Sequence, residues 1–143
     1  MKRNQDNKSE KGQSLVELAG ALVVLLILLS GIFDLGRAIF TLFSMQDAAE
    51  EGIVYGTSFP KNCTEIGRRV TSNLANPVLL PGDITVVITI NGSTCPITAK
   101  AGDKMLITVT RDFQITMPFL GGFIGNEIPL KATANGWILR AQP

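Results

Sequence analysis

The sequence contains no histidine. That removes the commonest general base and the commonest metal ligand together. Its two cysteines, Cys63 and Cys95, do not form a C-x-x-C pair. No nucleophile–base motif, phosphate-cradling loop or cluster of metal ligands can be picked out, so neither an enzyme, a metal nor a cofactor is expected. Thirteen basic residues against 12 acidic ones leave a formal charge of +1, which points to no nucleic-acid partner. Charge is also missing locally. Residues 18–33 carry none, and their only polar side chain is Ser30.

That uncharged run of 16 residues would measure about 24 Å as a helix, slightly short of a hydrocarbon core of about 30 Å. Leu15 and Val16 before it, and Leu35, Ala38, Ile39 and Phe40 after it, make a membrane span. Lys2, Arg3, Lys8 and Lys11 precede it against Asp6 and Glu10, which places the N-terminus in the cytoplasm and the remainder outside. A cleaved secretory signal fits poorly: the run exceeds the usual 7–15 residues and no A-x-A follows. One residue is out of place. Glu17 stands just inside the apolar run, where a carboxylate costs on the order of 2.5–3.5 kcal/mol even on the mildest scale.

Three pieces of sequence bear on that glutamate: GQSLVE from Gly12, DLGRAIF over 34–40 and DAAEEGIVYG over 47–56. In this order and spacing they resemble the TadE-like family, minor pilins of tight-adherence pili, over about residues 11–57. The start also resembles the class III signal of type IV pilins and pseudopilins: a short basic leader ending in glycine, with the apolar segment retained after the cut. The resemblance implies a leader of residues 1–12, cleavage by a prepilin peptidase between Gly12 and Gln13, and Glu17 as fifth residue of the mature chain. It also implies pairing of Glu17 with the new amine of Gln13 on a neighbouring subunit, which would set register because an unpaired buried charge opposes assembly. The plainer alternative leaves Glu17 snorkelling to the cytoplasmic headgroups. Other pilins or pseudopilins and an inner-membrane platform are the further implied partners. The protein would lie in the cytoplasmic membrane as a single pass, with incorporation in the pilus. Val23 stands where many such sequences have proline, so no proline kink is expected there. Leu18 replaces the tyrosine typical of small major pilins, which favours a minor pilin. The rival reading is an unprocessed, membrane-anchored extracytoplasmic binding module.

Helical pattern continues to about residue 51, near 58 Å from Gln13. The chain thus divides into a leader (1–12), a transmembrane and amphipathic helix (13–56) and an extracytoplasmic domain (57–143). Asp34 and Arg37, three apart, share one helix face near the outer interface. They serve either as an interfacial ion pair or as a docking contact in assembly, with Gly36 between them open to close helix approach. Ile39, Leu42, Phe43, Ala49 and Ile53 form an amphipathic face for the outer domain. Gly52 and Gly56 read as chain termination.

Beyond Pro60 and Asn62, residues 64–73 suit a short helix with Ile66, Val70 and Leu74 on one side. Strands are expected over 84–91, 104–115 and 128–140, with a turn at Asn91-Gly92 and a short extra strand near 95–98. Two or three antiparallel strands with helical cover make an α+β domain, the long helix serving as its lid. In an exported domain Cys63 and Cys95 suggest a disulfide; a two-thiol metal or redox site is the alternative. Phe119, Leu120, Phe123 and Ile124, set among glycines, suggest a contact loop or a plug for the base of the core.

Overall fold

A computed structural model of the chain describes residues 7–74, 83–96, 98–117, 122 and 125–140. The elements are α1 (Asn7–Gly56), α2 (Cys63–Asn73), β1 (Ile84–Ile90), β2 (Ser93–Thr94), β3 (Lys104–Gln114) and β4 (Glu127–Trp137). The strands form one antiparallel sheet in the order β2-β1-β3-β4, and both helices pack on one face of it. The fold is α+β: a long N-terminal apolar helix followed by a small four-stranded sheet.

Helix α1 is 50 residues long, about 75 Å, and no proline interrupts it. It starts six residues before Gln13, earlier than expected, and ends at Gly56, the expected limit of the helical segment and five residues past the end of the helical pattern in the sequence. Gly56 is its last residue, as expected of a terminating glycine, and both Gly52 and Gly56 also let it pack. A Cβ at Gly52 would lie 2.5 Å from Val70 Cγ2 and 2.8 Å from Ile107 Cδ1, and one at Gly56 would lie 2.6 Å from Met105 Sδ. Each glycine costs the helix about 1 kcal/mol relative to alanine. The return is direct contact of the helix backbone with α2 and β3. Termination comes one residue later, where the Thr57 hydroxyl donates to the Val54 carbonyl and Phe59 N–H to the Tyr55 carbonyl, just before Pro60.

Helix α2 begins where expected because the Asn62 side chain caps it, accepting the Glu65 N–H at 3.3 Å. Ile66, Val70 and Leu74 lie on its buried side. The turn after β1 has Asn91 at φ +48° and Gly92 at φ +83°, the paired left-handed geometry that matches strand twist. The Asn91 side chain adds to it, donating to Asp103 Oδ1 and accepting the Lys104 N–H. The extra strand is Ser93–Thr94, not 95–98. Cys95 is drawn across to Cys63, to which it is disulfide-bonded with Cα atoms 6.1 Å apart, and Pro96 has no N–H to continue a ladder.

Strands β3 and β4 pair along their full lengths, from Lys104↔Trp137 to Gln114↔Glu127. Met105, Ile107, Val109, Arg111 and Phe113 alternate onto the covered face of β3. On β4 that face is Leu130, Ala132, Ala134 and Gly136, small enough for α1 to lie close; a Cβ at Gly136 would come within 2.6 Å of Ile53 Cγ2. Residues 138–140 leave the sheet, Ile138 N–H donating to Asp103 and Leu139 N–H to the Thr57 carbonyl.

Candidate functional site

Ile128 and Leu130 lie against Gly31, Asp34, Leu35 and Ala38, whereas Gly136 lies against Ile53 and Thr57. Strand β4 therefore runs in the same direction as α1, and the β3–β4 end of the sheet reaches down the helix to residue 31.

The pair singled out in the sequence, Asp34 and Arg37, occupies that lower end. Asp34 is buried. Its Oδ2 accepts the backbone N–H groups of Thr116 (2.9 Å) and Met117 (2.8 Å), and its Oδ1 accepts Arg37 Nη1 at 3.2 Å. Arg37 Nη1 also donates to the Thr116 hydroxyl at 2.5 Å, and its guanidinium lies 5.2 Å from the centre of the Phe113 ring. One carboxylate thus ties together the helix and the chain leaving β3, across more than 80 residues of sequence. Thr116 and Met117 carry no signal in the sequence that would have named them, because what Asp34 takes from them is backbone N–H.

Gly12 and Gln13 lie within α1, the helix running through them from Asn7. Glu17 is exposed on the helix surface with no ion pair among the described residues. The structure does not bring these residues near Asp34 and Arg37; Glu17 and Asp34 are 17 residues apart on one helix, about 26 Å. Phe119, Leu120, Phe123 and Ile124 lie outside the described residues.

Arg111 was not anticipated. It is 3% exposed, on the covered face of β3, with Nη2 donating to the Leu74 carbonyl at 3.4 Å and, among the described residues, no hydrogen-bond partner for Nε or Nη1. Burial pushes its pKa down. Its parity with Met105, Ile107 and Val109 was the available clue. At the far end of the domain, Arg69 stacks on Tyr55 (4.2 Å), and Arg68 holds the Glu65 carboxyl at a pKa of about 2, chiefly by a hydrogen bond.

The exposed residues of α1 include an apolar succession from Leu15 to Phe43, and the helix is long and apolar enough to cross a membrane once. The family model described as TadE-like protein matches residues 12–53. Over that stretch, less than a third of its length, the chain is similar to TadE-like proteins. The family belongs to the tight-adherence pilus system, so the relationship is to pilus-associated proteins. The TadE-like stretch contains Gly12, Glu17, Asp34 and Arg37 and ends at Ile53, where α1 meets β4. No curated protein and no solved structure matches the chain.

Proposed function

We propose that the protein is a minor pilin, or pseudopilin, of a tight-adherence pilus, cut after Gly12 by a prepilin peptidase and working in pilus assembly and adhesion. The observation that carries this is the surface of α1. Exposed apolar side chains extend from Leu15 to Phe43, about 43 Å of helix against a hydrocarbon core of about 30 Å. Ile39, Phe40 and Phe43 remain exposed on α1 despite the packed sheet. In a filament the helices of neighbouring subunits cover such a surface.

In this reading the N-terminus is cytoplasmic, given Lys2, Arg3, Lys8 and Lys11, and the sheet domain is outside. Glu17 pairs with the Gln13 amine of a neighbour. Asp34 and Arg37 act from within the subunit, setting the angle at which the domain leaves the anchor. The partners are the peptidase, other pilins and the inner-membrane platform. Because α1 is already helical through Gly12, the peptidase must unwind the first turns to reach an extended backbone.

That same helical continuity favours the second reading, an unprocessed anchored binding module. N-terminal sequencing of the membrane-bound protein separates the two: a chain beginning at Gln13 supports the pilin, and one beginning at Met1 the module. Glu17→Ala then tests the pairing. It should insert and be cut normally but lose co-isolation with partner pilins, since a buried charge left alone costs about 3–5 kcal/mol. Normal assembly of Glu17→Ala would reduce the glutamate to an interfacial residue.

A further inference from the structure

Strand β4 ends the sheet, and among the described residues no strand pairs with its outer edge. Hydrogen bonds just past its two ends show which residues face that edge. Ile115 N–H donates to the Asn126 carbonyl and Ile138 N–H to the Asp103 carbonyl, both in register with the pairing of β3 and β4. In an antiparallel ladder such hydrogen-bonded pairs recur at every second residue. The even-numbered residues of β4 therefore bond to β3, and the backbone groups of the odd-numbered ones point outward. Pro129 is one of these and has no N–H, which blunts the lower part of the edge. Above it, Lys131, Thr133, Asn135 and Trp137 keep both N–H and C=O, with no hydrogen bond to these outward groups among the described residues.

Beside the open part lies a groove of about 340 Å³, between Gln46, Glu50 and Val54 of α1 and Thr133 and Asn135 of β4. All of its lining lies within the described residues. Gly125, at the lower end of the domain, is eight residues from Thr133, about 27 Å of strand. The helix side of the groove is acidic. From Ala38 to Gly56, α1 carries Asp47, Glu50 and Glu51 and no lysine or arginine. Glu50 is exposed; its Oε1 accepts Gln46 Nε2 at 2.8 Å, and it makes no ion pair among the described residues. Val54 is 73% exposed beside it.

We infer that this edge takes a fifth strand: an extended segment of another protein, with lysine or arginine at alternate positions. Its main chain bonds to the outward groups of residues 131–137, and its alternating side chains fall on the two faces of the sheet. Those on the helix side lie next to Ala132 and Ala134, whose small side chains leave Glu50 within reach. A lysine there meets the carboxylate with its ammonium and covers Val54 with its stem. The other side chains lie on the open face beside Thr133 and Asn135. A second copy of this chain fits less well. Strand β4 runs with α1, so antiparallel pairing of two β4 strands would oppose the anchors of copies held in one membrane. It would also bring only Ala132 and Ala134 of the other copy towards Glu50.

The test titrates full-length protein, in uncharged detergent at low salt, into fluorescein-labelled seven-residue peptides that alternate threonine with lysine or threonine with glutamate. Binding is read by anisotropy. The lysine peptide should bind saturably, and the glutamate peptide about tenfold more weakly or less. Thr133→Pro removes one outward N–H and leaves the bonds to β3 in place, as Pro129 already does, so it should abolish binding at an unchanged melting temperature. Asn135→Pro serves in the same way if the first variant does not fold. Glu50→Lys should weaken the lysine peptide by about tenfold or more. Absence of saturable binding by the lysine peptide overturns the inference. Binding that survives the proline variants also overturns it, since it shows attraction to charge without a strand site. A parent that is dimeric in micelles and becomes monomeric with Thr133→Pro assigns the edge to a second copy and overturns it as well.

Discussion

Replacing Asp34 by alanine removes the acceptor for three donors at once. Two are the backbone N–H groups of Thr116 and Met117 at 2.9 and 2.8 Å, and the third is Arg37 Nη1 at 3.2 Å. Hydrogen bonds to a charged group contribute about 1.5–3 kcal/mol each, so the two backbone bonds alone set an upper range of about 3–6. Two features lower it. Thr116 is exposed, so water can take over part of the lost bonding, and the Arg37 side chain retains 24% of its accessibility, which keeps the ion pair itself below about 1 kcal/mol. A net loss of about 2–4 kcal/mol is expected. For a domain of this size that is roughly 8–32 °C in melting temperature at about 4–8 °C per kcal/mol. Asp34→Asn keeps an oxygen but not the charge, and should lose about half as much. The assay is thermal unfolding in detergent micelles, followed by Trp137 fluorescence, with hydrogen exchange at residues 116 and 117 to locate the opening. If Asp34→Ala melts with the parent and those two amides keep their protection, the clamp contributes nothing and the account of the helix–sheet angle fails.

Arg111→Met should stabilise the domain by about 1–3 kcal/mol, the cost of leaving buried donors unsatisfied, because Nε and Nη1 have no partner among the described residues and methionine fills a similar length; a lowered urea midpoint would refute this. Reducing the Cys63–Cys95 bond, which spans 32 residues of sequence, should cost about 4 kcal/mol in the chain-entropy limit, and a melting temperature indifferent to reductant would argue against it. Glu65, whose pKa falls from 4.5 to about 2 through Arg68 and then Arg69, lends α2 stability that is present above pH 4.5 and lost as pH falls towards 2. Its carboxyl resonance should titrate near pH 2 in the parent and at higher pH in Arg68→Ala, where only Arg69 is left to hold the charge.

Much of this protein could be read along the chain because its information is periodic and local. An uncharged stretch with basic residues before it specifies an anchor. Asn62 with Glu65 three residues on specifies a helix start, and Asn91-Gly92 between β-branched runs specifies a hairpin. Alternation in 84–90 and 104–114 says which side chains face the helices, and that pattern survives in the burial of Ile88, Ile90, Met105, Ile107 and Val109. The two cysteines needed only an exported setting to suggest their bond.

Other features depend on residues that meet only when the chain closes on itself. Whether Gly52 and Gly56 end a helix or admit a neighbour cannot be decided by spacing; it is decided by Val70, Ile107 and Met105 arriving against them. Gly136 gains its purpose from Ile53 in the same way. An Asp–Arg pair three residues apart has the same sequence pattern in an intermolecular contact and in an intramolecular clamp. The difference lies in two backbone N–H groups more than 80 residues away, which have no side-chain identity to read. Sequence periodicity reports which face of an element is apolar, but only the packed chain determines what that face meets, because close approach and hydrogen-bond satisfaction are properties of pairs of surfaces.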